Sequence, residues 1–153
     1  MVVDNKYEFI LSFAAPGVRS VCTEDPAWER VVAGIDSVFV GGGGGGRASL
    51  IIHGEVGQVR AVIMESVKGI YRLLLRVNSD DPRFEILKWW DERGSNVENG
   101  PVSYLDQKWD PRGWMVDTEI VKKLMKDFFE NGSLDNILNF KSPWDVDFSF
   151  KNS

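Results

Sequence analysis

The sequence is short of the residues that most protein chemistry requires. It has a single cysteine, Cys22, so no intramolecular disulfide can form and a reducing compartment is expected. It has a single histidine, His53, so any Ser–His–Asp or Cys–His arrangement would have to use that residue. No Cys/His grouping has the spacing of a zinc site. No apolar run approaches the roughly 18 residues needed to span a bilayer, and the opening MVVDNKYEFILSF lacks a basic segment followed by a long apolar one. A soluble, cytoplasmic protein with no membrane contact is expected. A basic excess is missing too. The net charge is −5 and the pI about 4.9, whereas a nucleic-acid binder normally carries a basic face. Neither a nucleic-acid partner nor a cofactor is expected.

Glycine, by contrast, is concentrated. Gly41–Gly46 is an unbroken run that follows Val38-Phe39-Val40 and precedes Arg47-Ala48-Ser49. A phosphate-binding loop would need Lys and Ser or Thr at its end, and Arg47 and Ala48 stand there instead. Such loops also open into a helix whose first amides meet the anion, whereas Ser49-Leu50-Ile51-Ile52-His53 has the composition of a strand. The run is expected to be a flexible connector.

The 153 residues, 43% of them hydrophobic, suffice for one domain with its own core. Tyr7–Phe13 reads as a strand. Asp25 and Pro26 suit an N-cap and first helical position, and Trp28, Val31, Val32 and Ile35 have helical spacing. A short helix from Pro26 to about Asp36 follows. Strands are predicted at Ala48–His53, Gln58–Glu65, Ile70–Val77, Arg83–Trp90 and Val102–Leu105. In Ile70–Val77, Tyr71, Leu73, Leu75 and Val77 share one face and Arg72 and Arg76 the other. Asp117 then caps an amphipathic helix bearing Ile120, Val121, Leu124, Met125, Phe128 and Phe129, which Asn131-Gly132 ends. Val116 and Val121 are spaced for a hydrophobic staple. In the tail, Trp144, Val146, Phe148 and Phe150 alternate as in a last strand. The expectation is an α+β fold over residues 1–153: an antiparallel sheet of about five or six strands, a short early helix, and the late helix packed on the sheet.

Six tryptophans and a group of acids supply the candidate site. Trp89, Trp90, Trp109 and Trp114 fall in the least regular part of the chain, among Asp91, Glu92, Glu98, Asp106 and Asp110. Tryptophan is enriched at binding hot spots, and surrounding acids would speed capture of a basic partner. The alternative is a small enzyme or binding domain acting on a sugar or other polar ligand through this tryptophan and carboxylate cluster, two of the carboxylates serving as acid and base in a sugar-cleaving cleft. Cys22 and His53 are weaker candidates: the first precedes a helix, which could lower its pKa, and the second ends a strand beside a turn.

The order of several phrases is distinctive. Asp25-Pro26-Ala27-Trp28-Glu29 opens a helix, and Gly69-Ile70-Tyr71-Arg72-Leu73 lies in the sheet. Trp109-Asp110-Pro111-Arg112 precedes Val116-Asp117, and the late helix runs out through Phe128-Phe129-Glu130-Asn131-Gly132-Ser133-Leu134. This order resembles small bacterial immunity proteins of polymorphic-toxin and contact-dependent growth inhibition systems. The resemblance implies an acidic, cytoplasmic, non-catalytic inhibitor that binds one cognate toxin domain, often a basic nuclease. It implies no role for any individual residue.

Overall fold

Alternation of apolar side chains builds a sheet, and two apolar helical stripes cover one side of it. The computed structural model of the chain describes residues 6–13, 20–40, 45–53, 58–67, 69–91, 102–104, 107–134, 137 and 139–142. The strands are β1 (Lys6–Phe13), β2 (Val21–Glu24), β3 (Gly46–His53), β4 (Val59–Val67), β5 (Ile70–Val77), β6 (Ile86–Trp89), β7 (Val102–Tyr104), β8 (Gln107–Trp109) and β9 (Phe140–Lys141). The helices are α1 (Trp28–Val40) and α2 (Thr118–Asn131). Seven strands form one antiparallel sheet in the order β2-β1-β3-β4-β5-β6-β9, and β7 pairs with β8 apart from it. Among the described residues no helix is long and apolar enough to cross a membrane.

The register sorts the side chains into rows. On one face Leu11, Ala48, Met64 and Leu73 align across β1, β3, β4 and β5. The next row is Phe9, Leu50, Val62, Leu75 and Leu87. Val31, Ile35 and Val38 of α1 and Val121, Met125 and Phe128 of α2 pack on these rows with no exposed surface at all. Lys122 of α2, on the polar side of the helix, reaches Asp36 of α1 at 2.9 Å and ties the helices together. Asp117 caps α2 as expected, accepting from the Glu119 N–H, and Gly132 ends it at φ 68° with its N–H on the Phe128 carbonyl.

Several boundaries differ from the sequence reading, each for a local reason. Asp25 is not a helix cap: its N–H donates to the Tyr7 carbonyl and its carboxylate accepts from the Tyr7 N–H, so it closes the β1–β2 ladder. Two strands that were not predicted, β2 and β9, bring the main sheet to seven, while the predicted strand at Val102 pairs with β8 apart from it. Helix α1 starts after Pro26 and runs through Val38-Phe39-Val40, which buries Val38 in the core. Residues 83–85 form a turn capped by Asp81 rather than the start of β6. Val116 is 56% exposed, so it does not staple to Val121. The alternating tail at 144–150 and Gly41–Gly44 lie outside the described residues.

Gly45 and Gly46 are not a slack connector. Gly46 begins β3, paired with Phe13 on one side and Ser66 on the other. Gly45 holds φ 130°, and a Cβ there would fall on the Ser66 carbonyl oxygen. Gly45→Ala is therefore expected to lower unfolding free energy by at least about 1–3 kcal/mol, the cost of forcing a side chain into such backbone. Phe128→Ala is expected to cost about 3–5 kcal/mol by opening a cavity between the helices and the sheet. Urea titration of both variants measures these losses, and a change under about 1 kcal/mol in either contradicts the packing described.

Candidate functional site

The tryptophan and acid segment is divided by the fold. Trp89 ends β6, is half-buried, and faces the helices beside Ile120, Leu124 and Phe140. Trp90, Trp109 and Trp114 are only 3–4% exposed. Trp109 and Trp114 pack with Val67 and Ile70 in a small second core, and the Arg72 guanidinium stacks 4.3 Å from the Trp109 ring. Arg72 in turn is bound to Glu65 at 2.8 Å. Trp114 and Met115 turn to opposite sides as the chain passes the end of the sheet, because Met115 bridges to the Tyr71 backbone in both directions. The expectation of exposed aromatic anchors at Trp90, Trp109 and Trp114 is thus corrected: they are packing residues. Their apolar area is worth more inside than on a solvated loop.

The acids there are committed as well. Asp110 is 5% exposed and caps a single tight turn, Pro111–Gly113. It accepts from the Arg112 N–H at 2.9 Å, from Nε at 3.0 Å and from Nη2 at 2.8 Å. Burial alone would raise its pKa, but the Arg112 hydrogen bonds and charge outweigh that and hold it below the ordinary carboxylate value. The same guanidinium lies 4.6 Å from the Trp90 ring. A carboxylate so held is a poor general acid, which removes one partner from the glycosidase-type pair. Asp91 is half-buried, its N–H donating to the Arg112 carbonyl. Glu92, Glu98 and Asp106 lie outside the described residues.

His53 and Cys22 do not form a catalytic pair either. His53 Nε2 lies 3.4 Å from Glu8 at the sheet surface. Partial desolvation and the Glu8 and Glu24 carboxylates push the Cys22 thiol pKa up, the opposite of activation.

The feature that stands out is the face of the sheet away from the helices. There the rows are Ser12, Arg47, Glu65 and Arg72, then Ile10, Ser49, Ile63, Leu74 and Lys88, then Glu8, Ile51, Ala61, Arg76 and Ile86. A groove of about 740 Å³ runs over part of these rows, floored by isoleucines and rimmed by Arg47, Arg60, Arg76, His53 and Glu85. Arg47, Arg60 and Arg76 are exposed, and none of the ion pairs among the described residues uses them. Lys88, further in, has its pKa lowered by burial and by the Arg72 charge, with Glu65 opposing.

Arg60 reaches this face through a β-bulge. Val59 pairs with Val77 and Ala61 with Arg76, so β4 carries one residue more than β5 at that point. The extra residue keeps Val59 in the helix-side core, while Ala61 stays on the groove side with Arg60 beside it. Without it, strict alternation would send Arg60 under the helices. Arg76 was visible in the sequence as the polar face of β5. Arg60 was not, because alternation cannot reveal a bulge.

An α+β protein with both helices on one sheet face, and on the other a tryptophan-covered end beside an arginine-rimmed groove, is the class this geometry defines. The model of a family of unknown function (DUF6911) matches residues 6–138, and the protein belongs to that family. No curated protein matches the sequence. A crystal structure of a hypothetical protein from Neisseria gonorrhoeae is similar in fold, with a TM-score of 0.60 and 12% sequence identity over 88% of this chain and 94% of that one.

The Asp110 clamp makes a pH prediction with a definite sign. The folded pKa lies below the ordinary value of 3.8, so the clamp's stabilisation is complete above the unfolded pKa. It is lost as pH falls through the folded value. Asp110→Asn should therefore lower the unfolding midpoint at neutral pH and flatten the fall in stability below about pH 4, the unfolded carboxylate range. Thermal melts of parent and variant from neutral to acid pH test this, and parallel curves contradict it.

Proposed function

We propose that this protein is an immunity protein: it neutralises a cognate bacterial toxin domain in the cytoplasm by tight, non-catalytic binding. The observation that carries this is the division of labour between the sheet's two faces. One face is filled by the helices. The other leaves an apolar floor, Ile51 and Ile86 among it, inside a rim of arginines that pair with nothing described. An apolar centre with a polar rim is the anatomy of a protein interface, and arginine is a favoured hot-spot residue. The buried tryptophans Trp109 and Trp114 cover the Val67 and Ile70 end of the same face, with Trp109 over Arg72, and leave the groove beside them.

Two further points support the reading. The order of phrases from Asp25-Pro26-Ala27-Trp28-Glu29 to Phe128-Phe129-Glu130-Asn131-Gly132 resembles that of immunity proteins. The net charge of −5 would draw in a basic toxin, such as a nuclease, at long range, while the arginines meet acidic groups within its surface.

The test uses the toxin domain encoded beside this protein. Co-expression should protect cells from it, and the purified pair should associate without any substrate being consumed. Ile51→Glu and Ile86→Glu place a charge on the groove floor, and each should weaken binding by about 2 kcal/mol, roughly thirtyfold, with the unfolding midpoint as control. Failure to protect and to bind sinks the reading. Full binding by both folded variants moves the interface elsewhere.

A further inference from the structure

The basic rim has a spacing, and the spacing constrains what it holds. Arg47 and Ile51 are four residues apart on β3, about 13 Å at a rise of about 3.3 Å per residue. Ile51 shares its row with Ala61 and Arg76, and Arg60 is the bulged neighbour of Ala61. The groove thus carries Arg47 toward one end and Arg60 with Arg76 toward the other. Between them lies the row containing Ser49 and Ile63, which is uncharged until Lys88 near the far edge. Arg60 and Arg76 sit on neighbouring strands, where like charges destabilise a sheet unless something neutralises them. The exposed Glu85 on the same rim makes no ion pair among the described residues, and Glu8 is turned toward His53. Glu65, across from Arg47, is held by Arg72.

On the reading that this face binds a protein, we infer that its occupant is an extended acidic segment of the partner. In such a segment residues i, i+2 and i+4 point the same way, so acids at i and i+4 are spaced to meet the two arginine groups. An apolar residue at i+2 rests on the floor between them. A free phosphate would leave that floor unused. A nucleic acid would face a protein of net charge −5 with Glu8 and Glu85 beside the site.

The experiment is a calorimetric titration of the full chain with two synthetic pentapeptides of identical composition. One is Glu-Thr-Leu-Thr-Glu, and the other has its glutamates adjacent. Inorganic phosphate and a short duplex DNA are the other titrants, all at physiological ionic strength. The spaced peptide should bind about tenfold more tightly than its isomer. Arg60→Glu with Arg76→Glu should erase that preference, and Arg47→Glu should reduce it separately. These residues are exposed, and an unchanged unfolding midpoint confirms that each variant is folded. Equal binding of the isomers, variants that bind like the parent, or tighter binding of phosphate or DNA overturns the inference. The same variants are titrated with the neighbouring toxin domain. If it binds the Arg60→Glu, Arg76→Glu protein as it binds the parent, the acidic-segment inference falls and the immunity reading stands. If the peptides are discriminated but the toxin is not bound, the immunity reading falls and the groove's specificity stands.

Discussion

Tyr71 is the residue through which the separate parts of this fold are joined. It has no exposed surface, and its backbone N–H and carbonyl both bond to Met115, which docks the chain after β8 against the start of β5. Its hydroxyl donates to the carbonyl of Asp117, the residue that caps α2. Its ring meets Phe39 in the last turn of α1 edge-on, with centroids 6.0 Å apart. One side chain therefore touches both the start of the second helix and the last turn of the first. A buried phenol needs its partner, so the hydroxyl bond also gives this placement a single solution.

From that junction the molecule separates into a structural side and an open side. The helices use up one face, and a second aromatic cluster at Tyr7, Trp28, Phe128 and Phe129 seals the edge where α1, α2 and β1 meet. On the other face, Trp109 lies over Arg72 and Arg72 over Glu65, a stack that draws one arginine and one carboxylate inward. What stays outward is arginine. An acidic protein thus carries a locally basic groove, an arrangement that overall charge conceals, because the acids among the described residues lie mainly on helix surfaces and turns.

Much of the fold was legible in the sequence. The alternation in Ile70–Val77 and the stripe of α2 with its Asp117 and Gly132 caps are local signals, and the structure keeps them. What was not legible depends on distant contacts. Val38-Phe39-Val40 has strand composition but completes α1, since Val38 has a core to enter. Asp25 has an N-cap's chemistry but a closer claim from Tyr7. The candidate site was the least legible. Tryptophans beside acids in irregular chain look the same whether they face water or fill a second core, and Arg112 and Arg72 decide the matter from across the turn and the sheet. The groove arginines are scattered through β3, β4 and β5 and come together only through pairing register.

The bulge at Arg60 has an evolutionary corollary. On either side of it β4 is in register with β5, so the sheet accommodates the extra residue without disturbing the pairing of Val59 or Ala61. Loss of that one codon would leave both neighbours opposite their present partners and subtract a single positive charge from the open face. The charge of this face can therefore change by length as well as by substitution, in a strand whose core contacts stay the same. Such a change alters the charge of the open face and leaves the hydrophobic core as it is.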